Sequence, residues 1–247
     1  MGKIQIIILA AGHGKRMNNA ELPKVLVPFK GKPLISRLLQ AIKASGVCAK
    51  PAIVVGQKAD MIKAALGSDY TYIFQAEQLG TGHAVMCSKD ELAGKAENIM
   101  VLYGDHPLVS AETIKKIAAA HLETGAILTM ATVTIPDFSD WRANFYDFGR
   151  IIRTDSGRVC AIVEKKDAAE SQKEIKEVNP SYLCFQAEWL WENLAKLKND
   201  NAQKEYYLTD LIGSACRQSQ EITTVEIRPE EALGVNTAEQ LELINKI

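Results

Sequence analysis

Short apolar runs alternate with longer periodic segments through the first half of the chain. The short runs predict buried strands, at 4–9, 52–55, 71–74, 99–102 and 127–133. In the periodic segments apolar residues recur every three or four positions, which predicts helices, after Pro33, at 59–66 and 83–89, and after the capping residue Ser110. Such alternation is typical of βαβ units, so we expect an α/β fold with a mostly parallel central sheet.

The pattern changes after residue 134. A loop rich in aromatic and polar residues precedes two short apolar runs, at 150–154 and 159–164, joined by Asp155-Ser156-Gly157. A turn of this kind predicts a small β hairpin added beside the main sheet. Later runs predict strands at 182–185 and 222–227 and helices at 189–197, at 209–216 and from Thr237. We expect one domain over residues 1–247, with halves at 1–134 and 135–247.

The composition favours a small-molecule partner. Of 247 residues, 47% are hydrophobic, enough for a sizeable core, and 29 basic residues nearly balance 30 acidic ones. Balanced charge argues against nucleic acid or a membrane surface as partner, and no apolar stretch is long enough to span a bilayer. Five widely spaced cysteines indicate reduced thiols in a cytoplasmic protein. No feature predicts a protein partner.

The segment directly after the first predicted strand, here called the glycine turn, is rich in small residues. It reads Leu9-Ala10-Ala11-Gly12-His13-Gly14-Lys15-Arg16-Met17. Small side chains allow the backbone to approach a bulky anion, and consecutive N–H groups form an anion-binding nest. Lys15 and Arg16 add positive charge at the same place. The turn is neither a P-loop nor a Rossmann fingerprint, because Met17 stands where the third glycine belongs.

A second motif follows at residues 22–26 and reads Leu22-Pro23-Lys24-Val25-Leu26. Proline fixes the backbone immediately before Lys24, which is thereby placed to hold a phosphate. Together the two motifs resemble the signature of the sugar-1-phosphate nucleotidyltransferases. The resemblance implies a Rossmann-like, GT-A-like nucleotidyltransferase domain with catalytic roles for Arg16 and Lys24. It also implies nucleotide binding by residues of the glycine turn: Leu9, Ala10, Ala11, Gly12 and Gly14.

A third motif, here called the uridine segment, covers residues 75–84. It reads Gln75-Ala76-Glu77-Gln78-Leu79-Gly80-Thr81-Gly82-His83-Ala84. It resembles the uridine-binding stretch of the N-acetylglucosamine-1-phosphate uridyltransferases, which form the N-terminal half of the bifunctional GlmU enzymes. An amide side chain can read the uracil edge with one donor and one acceptor, and glycines admit the base to backbone groups. The resemblance implies uracil contacts at Gln75, Gly80 and Thr81.

Tyr103, Gly104 and Asp105 follow the strand predicted at 99–102. Open α/β sheets bind their ligands at the carboxyl ends of strands. A carboxylate there is a natural Mg²⁺ ligand, because magnesium takes oxygen donors together with substrate phosphates and water. We therefore interpret Asp105 as a metal ligand beside a nucleotide that contacts Tyr103 and Gly104. Gly234-Val235-Asn236 resembles the family's late Gly-Val-Asn motif, which implies that Asn236 is the second ligand of the Mg²⁺ cofactor.

The second half carries the predicted sugar site. Phe148-Gly149-Arg150-Ile151 and the segment from Ile162 to Asp167 resemble family motifs. The resemblance implies sugar contacts by five residues: Gly149, Glu164, Asn179, Glu205 and Tyr207.

Two features depart from the family pattern. Pro180-Ser181 replaces the usual Thr-Gly after Asn179, and the segment 136–148 is longer than its counterpart. Four rings of that segment form either a lid over the sugar or a local hydrophobic plug, and we favour the lid; they belong to Trp141, Phe145, Tyr146 and Phe148.

The histidines carry no predicted acid–base role. His121 lies on the apolar face of its helix and is interpreted as a core residue. His13 and His83 have no carboxylate partner near them in the sequence, while His106 follows Asp105 and is a weak candidate for a phosphate contact. No Ser-His-Asp or Cys-His set is present. A general base is not required, because a sugar phosphate is already ionised at neutral pH.

These features predict a magnesium-dependent enzyme that uses UTP and N-acetylglucosamine 1-phosphate and releases pyrophosphate. The resemblance leaves open another sugar 1-phosphate, such as glucose 1-phosphate, and another nucleotide. A regulatory protein that binds a sugar nucleotide without catalysis is a third possibility. We expect no acetyltransferase β-helix within these residues, since hexapeptide repeats are absent. Whether the chain has a single function or is the first half of a bifunctional protein stays open.

Overall fold

The computed structural model of the chain describes residues 3–12, 14 and 22–246. Ten strands in this part form one sheet: β1 (Ile4–Leu9), β4 (Ala52–Val55), β5 (Thr71–Phe74), β6 (Asn98–Tyr103), β7 (Leu128–Thr134), β8 (Gly149–Arg153), β9 (Val159–Val163), β10 (Glu177–Asn179), β11 (Leu183–Gln186) and β12 (Ile222–Glu226). The short strands β2 (Pro28–Phe29) and β3 (Lys32–Pro33) pair separately.

Nine α-helices surround the sheet in the same part of the chain: α1 (Leu34–Ser45), α2 (Ala59–Leu66), α3 (Thr81–Met86), α4 (Lys89–Leu92), α5 (Ala111–Thr124), α6 (Glu170–Lys173), α7 (Ala187–Leu194), α8 (Asp210–Arg217) and α9 (Ala238–Lys246). Three 3₁₀ helices in the described part of the chain cover Lys24–Leu26, Asp140–Asp147 and Pro229–Ala232. The helix predicted at 83–89 is instead divided between α3 and α4. No described helix has both the length and the apolar character needed to cross a membrane.

Local sequence explains where the two longest helices begin and end. The Oγ of Ser110 accepts a hydrogen bond from the backbone N–H of Thr113 at the start of α5, which satisfies one of the free amides of the first turn. Helices α1 and α5 each end at a glycine in the left-handed conformation, Gly46 with φ 67° and Gly125 with φ 63°. Glycine adopts this conformation without a steric penalty from Cβ.

The strand order of the sheet is β5-β4-β1-β6-β11-β7-β10-β8-β9, and β12 pairs with β7. The first four strands are parallel, as predicted. From β6 to β9 the neighbours are antiparallel, and β12 lies parallel to β7. The predicted α/β fold with an added hairpin, β8 and β9, is therefore confirmed, although its parallel character is concentrated on one side.

Helices on both faces of the sheet bury two hydrophobic layers. Successive side chains of a strand point to opposite faces, so Ile6 and Ile8 pack with the α1 side chain of Leu38 in one layer. Ile7 and Leu9 pack in the other layer with residues of α3, α7 and α8. A strand that is covered on both faces requires a nearly continuous apolar run, which is the pattern of β1.

The sheet divides where β10 meets β11. These two strands follow one another along β7, but β11 pairs with β6 on its other side, whereas β10 pairs with β8. Pro180 and Ser181 lie at the break, and Ser181 has a left-handed φ of 68°. Since β8 is not paired with β6, the sheet opens beside the carboxyl end of β6.

Candidate active site

A cavity of about 200 Å³ lies at the carboxyl ends of β1 and β6. Its lining includes eleven of the predicted site residues: Leu9, Ala10, Ala11, Gly12, Lys24, Gln75, Gly80, Thr81, Tyr103, Asp105 and Glu205. Gln78, Val25 and Ala84 complete the lining and were not predicted. Arg16, which the sequence also nominates, lies outside the described residues, as do His13, Lys15 and Met17.

Lys24, Asp105 and Asn236 meet at the edge of this cavity. The Lys24 ammonium donates to Oδ2 of Asp105 and, over 2.7 Å, to Oδ1 of Asn236. Burial by itself would raise the pKa of Asp105, but the charge and the hydrogen bond of Lys24, together with His106 and a backbone hydrogen bond, hold that pKa below its ordinary value. Two oxygen atoms from distant segments, one of them ionised, therefore point at the same place. We call these three residues the cation cluster.

The backbone of the Gly-Val-Asn motif is fixed against Asp105. The N–H of Val235 donates to the carbonyl oxygen of Asp105 over 3.0 Å. A Cβ on Gly234 would lie 2.5 Å from Nε2 of His106, so only glycine allows the motif to pass this ring. His106 is thus a packing partner of the motif, a role that the sequence interpretation missed.

His106 belongs to a buried chain of hydrogen bonds. Its Nδ1 lies 2.7 Å from the Tyr182 hydroxyl, which donates to the carbonyl oxygen of Glu231 over 2.8 Å. Because that hydroxyl has a single proton, Nδ1 of His106 is the donor to Tyr182. Burial lowers the pKa of His106, so the ring is neutral and orients Tyr182 and the Pro229–Ala232 turn.

The uridine segment packs backbone to backbone against residues 205–208. The N–H of Gly82 donates to the Tyr206 carbonyl over 2.7 Å, and the Tyr206 N–H donates to the Leu79 carbonyl over 2.7 Å. A Cβ on Gly80 would lie 2.7 Å from the same Tyr206 oxygen. The two glycines are therefore explained first by this close approach, which joins the uridine segment to the segment that carries Glu205 and Tyr207.

Two glutamines anchor the walls of the cavity. Nε2 of Gln75 lies 3.3 Å from the Gly80 carbonyl oxygen and 3.1 Å from Nδ1 of His83. Nε2 of Gln78 donates to the carbonyl oxygen of Ala11 in the glycine turn. Gln78 lies within the uridine segment, but Ala11 is 67 residues away in the chain. The motif spacing therefore could not predict this hydrogen bond.

The predicted sugar residues form a second group beside Tyr103. The Thr209 hydroxyl donates to Oε1 of Glu164 over 2.9 Å, and burial raises the pKa of that carboxyl group. A Cβ on Gly149 would lie 2.7 Å from the Ile162 side chain and 3.3 Å from Oε1 of Glu164. A glycine at 149 thus leaves room for the half-buried carboxyl group of Glu164.

Asn179 is held by the residue at the sheet division. Its Oδ1 accepts the N–H of Ser181 over 2.9 Å, and its Nδ2 donates to the Ser181 hydroxyl over 3.1 Å. The Ser181 hydroxyl also hydrogen-bonds to Tyr103 and thereby lowers the pKa of that phenol, although burial raises this pKa far more. Tyr103 consequently joins the cavity to the Asn179 group.

The two remaining predicted sugar residues differ in position. Glu205 lines the cavity, whereas Tyr207 is buried beside it. Burial and the nearby carboxylate of Asp167 raise the pKa of Tyr207 to about 12. The phenol is therefore neutral at every pH of biological interest.

The aromatic segment 136–148 forms a plug, so the lid that we favoured is wrong. Phe145 is fully buried between Trp141 and Phe148, with ring centroids 5.9 and 5.1 Å away. Among the described residues, none of these rings lines the cavity. The buried Arg150 guanidinium donates to the carbonyl oxygens of Tyr146, Phe148 and Lys173. The Arg150 guanidinium also lies 4.9 Å from the Phe138 ring centroid. Arg150 thus joins the backbone of the plug to one of its rings.

The mixed sheet, the glycine turn and the cation cluster define a nucleotidyltransferase domain. Residues 6–212 match the family of MobA-like NTP transferase domains, and the chain belongs to this family. A likeness in fold extends to the crystal structure of UDP-glucose pyrophosphorylase complexed with UDP-glucose, with a TM-score of 0.76 at 18% identity, covering 100% of this chain and 98% of that chain.

The sequence is also similar to that of curated bifunctional proteins. The bifunctional protein GlmU of Brevibacillus brevis is 42% identical over 242 residues, which are 98% of this chain and 50% of the relative. GlmU of Fervidobacterium nodosum is 44% identical over 244 residues, 99% of this chain and 50% of the relative. The chain spans about half the length of these relatives. The predicted resemblance to the sugar-1-phosphate nucleotidyltransferases is thereby confirmed.

Proposed function

We propose that the chain transfers UMP from UTP to N-acetylglucosamine 1-phosphate in the cytoplasm, with magnesium as cofactor, giving UDP-N-acetylglucosamine and pyrophosphate. The observation that carries the proposal is the cation cluster, in which Asp105 and Asn236 converge on Lys24 at the edge of a cavity lined by the glycine turn. Such a cavity offers backbone amides and positive charge to a polyphosphate.

The donor set fits a magnesium ion. Asp105 and Asn236 offer two oxygen ligands, and magnesium in proteins is usually bound by one or two such ligands together with substrate phosphates and water. The described residues contain no cluster of three or more His, Cys, Asp or Glu side chains that would form an all-protein site. When bound, the ion would neutralise phosphate charge at the reacting centre.

The reaction itself asks for positioning and charge neutralisation. A phosphate oxygen of the sugar 1-phosphate attacks the α-phosphorus of UTP, the bond to the β-phosphate oxygen breaks, and pyrophosphate leaves. Lys24 supplies a preorganised positive charge for the phosphates. Arg16 is proposed to assist from the glycine turn on the family resemblance alone. No general base is needed, since the nucleophile is already an anion.

The residues around the cavity also support UTP and a sugar 1-phosphate as the substrates. Gln75, Gly80 and Thr81 stand beside the cavity for a uracil base, and Gly149, Glu164 and Asn179 form a polar group for a sugar. The relatives named GlmU support N-acetylglucosamine 1-phosphate, as members of the resembled uridyltransferase family. Glucose 1-phosphate is the second candidate, because the UDP-glucose pyrophosphorylase complex shares the fold and Pro180-Ser181 changes the wall beside Asn179.

The decisive test is a substrate panel. The purified chain is incubated with UTP, CTP, ATP or GTP and with N-acetylglucosamine 1-phosphate or glucose 1-phosphate, and pyrophosphate release is measured with and without Mg²⁺. We expect the largest kcat/KM for UTP with N-acetylglucosamine 1-phosphate. A preference for glucose 1-phosphate would select the second candidate, and binding of UDP-sugar without pyrophosphate release would identify a regulatory protein.

Lys24→Ala tests the charge contact. Removing one preorganised donor typically costs about 10²- to 10³-fold in kcat, and we expect a loss of this order in a variant that still folds, as circular dichroism would show. Lys32→Ala is the control, because Lys32 is an exposed lysine eight residues away in the chain. Near-normal turnover of Lys24→Ala would refute the role of Lys24.

A further inference from the structure

Asn236 is supported by a chain of side-chain amides that the family motif does not contain. The backbone N–H of Asn236 donates to Oε1 of Gln240 over 2.7 Å, and Nε2 of Gln240 donates to Oδ1 of Asn144 over 3.0 Å. Nδ2 of Asn144 in turn donates to the Trp141 carbonyl oxygen over 3.0 Å. The chain runs from the cation cluster to the aromatic plug.

The orientation of each amide in this chain is determined by its neighbours. A backbone N–H can only donate, so Gln240 must turn its oxygen to Asn236 and its nitrogen to Asn144. A backbone carbonyl can only accept, so Asn144 must turn its nitrogen to Trp141 and its oxygen to Gln240. The Asn236 N–H at one end and the Trp141 carbonyl at the other require the same amide orientations. Neither amide can flip without breaking two hydrogen bonds.

The far end of the chain rests on a rigid base. Phe145, one residue after Asn144, is fully buried. The carbonyl oxygen of Tyr146 accepts a hydrogen bond from the buried Arg150 guanidinium over 3.0 Å. Side chains locked by packing and hydrogen bonds are the supports that hold a functional group in place.

We propose that Gln240 and Asn144 form a strut that positions Asn236 for the cation. This rests on the proposed function, in which Asn236 is a metal ligand. Gln240 acts through Asn236 and is a positioning residue. The aromatic plug supports Asn236 indirectly, because it holds Asn144, which in turn holds Gln240. Outer-shell partners of metal ligands typically contribute 10- to 100-fold to metal affinity.

Gln240 also belongs to the start of α9, which suggests a purely structural role as the alternative. Its backbone N–H donates to the Thr237 hydroxyl over 3.3 Å, a helix-capping contact. Thr237→Ala removes this cap and leaves the strut intact. It is therefore the control for loss of helix stability, whereas Gln240→Met removes the strut and retains the cap.

The experiment measures binding of Mn²⁺ as a probe for Mg²⁺, by titration calorimetry in the presence of a non-hydrolysable UTP analogue. We expect Gln240→Met to weaken Mn²⁺ binding by about 10- to 100-fold and Asn144→Leu to weaken it in the same direction. The double variant should bind Mn²⁺ little worse than Gln240→Met, because both changes break one chain. Asn144→Asp keeps the acceptor for Gln240 but loses the donor to the Trp141 carbonyl, so it should weaken Mn²⁺ binding less than Asn144→Leu does.

Distinct outcomes separate the strut from the reaction. If Gln240→Met binds Mn²⁺ like the parent chain, or if Thr237→Ala weakens binding as much as Gln240→Met does, the strut is wrong even when UMP transfer is observed. If the parent chain transfers no UMP but its Mn²⁺ affinity falls in Gln240→Met, the strut stands and the proposed function fails. A parent chain that binds no Mn²⁺ overturns both.

Discussion

At Gly80 the uridine segment closely approaches the backbone of Tyr206, which is distant in sequence. Its φ of 108° is unfavourable for any residue with a Cβ, and that Cβ would lie 2.7 Å from the Tyr206 carbonyl oxygen and 2.9 Å from the Tyr206 nitrogen. Both atoms belong to backbone that is hydrogen-bonded to the uridine segment, so they cannot move aside easily. The absence of a Cβ at Gly80 therefore allows the uridine segment to pack against the Tyr206 backbone.

Gly80→Ala is therefore expected to destabilise the chain by more than backbone strain alone. A strained conformation costs on the order of 1–3 kcal/mol, and the clash adds to it. Gly94→Ala is the matched control, because Gly94 also has a positive φ, 75°, but open space around its Cβ position. Urea unfolding should show a clearly larger loss for Gly80→Ala. Equal losses would mean that the Tyr206 backbone yields without cost.

Ser181 is a residue with a side chain in a conformation that suits glycine. Its φ is 68°, at the division of the sheet, and its N–H and hydroxyl both bond to the Asn179 amide. The family's usual glycine at this place is consistent with the backbone. We infer that the hydroxyl contacts offset part of the strain that serine introduces.

A comparison of Ser181→Gly with Ser181→Ala separates these two effects. Both variants lose the hydroxyl, but only glycine relieves the left-handed strain, which costs roughly 1–2 kcal/mol for other residues. The free energy of unfolding should thus be about 1 kcal/mol higher for Ser181→Gly than for Ser181→Ala. Equal values, measured by urea unfolding, would place the strain elsewhere.

At the scale of elements, His121 joins helix α5 to strands β6 and β7. Its Nε2 lies 3.0 Å from Oδ1 of Asn98 and its Nδ1 lies 2.9 Å from the Thr129 hydroxyl. The ring is buried, which agrees with its interpretation as a core residue. Burial lowers its pKa from 6.5 to about 4 because the charged form is poorly solvated there.

This pKa makes stability depend on pH. The unfolded chain takes up a proton at His121 below pH 6.5, whereas the folded chain does so only near pH 4. The contribution is complete above pH 6.5 and is lost as the pH falls toward 4. Between pH 7 and 5 the parent chain should lose about 2 kcal/mol more than His121→Gln does. Urea unfolding at both pH values measures the difference, and parallel losses would contradict it.

At the scale of the whole molecule, one sheet joins both halves of the chain. Strand β11, from the second half, lies between β6 and β7 of the first half. The second hydrophobic layer likewise combines Ile7 and Val101 with Leu190 and Leu211. Neither half completes its core without the other.

Unfolding of the parent chain should therefore be a single cooperative transition. The tryptophans sample two regions, Trp141 in the plug and Trp189 and Trp191 in α7. Tryptophan fluorescence and far-ultraviolet circular dichroism should report the same urea midpoint, because one core connects these regions. Two separated midpoints would show that the plug and its hairpin unfold independently of the parallel strands.

Much of the site could be predicted because its parts are local. The glycine turn, the lysine after Pro23 and the carboxylate after β6 are each readable within a few residues, and strand ends at one edge of a sheet meet in space. Asp105 and Lys24 accordingly lie together as their motifs suggest. Their roles in catalysis and metal binding stay predictions.

The sequence by itself determined the elements and the chemical groups, because periodicity and turn residues act over a few positions. Tertiary structure alone decided that β11 enters the sheet between β6 and β7, that the aromatic rings turn inward, and that Gly80 and Gly234 make room for Tyr206 and His106. It also decided that Gln240 reaches Asn144. Such contacts depend on which distant segments become neighbours, and hydrophobic periodicity carries no information about that.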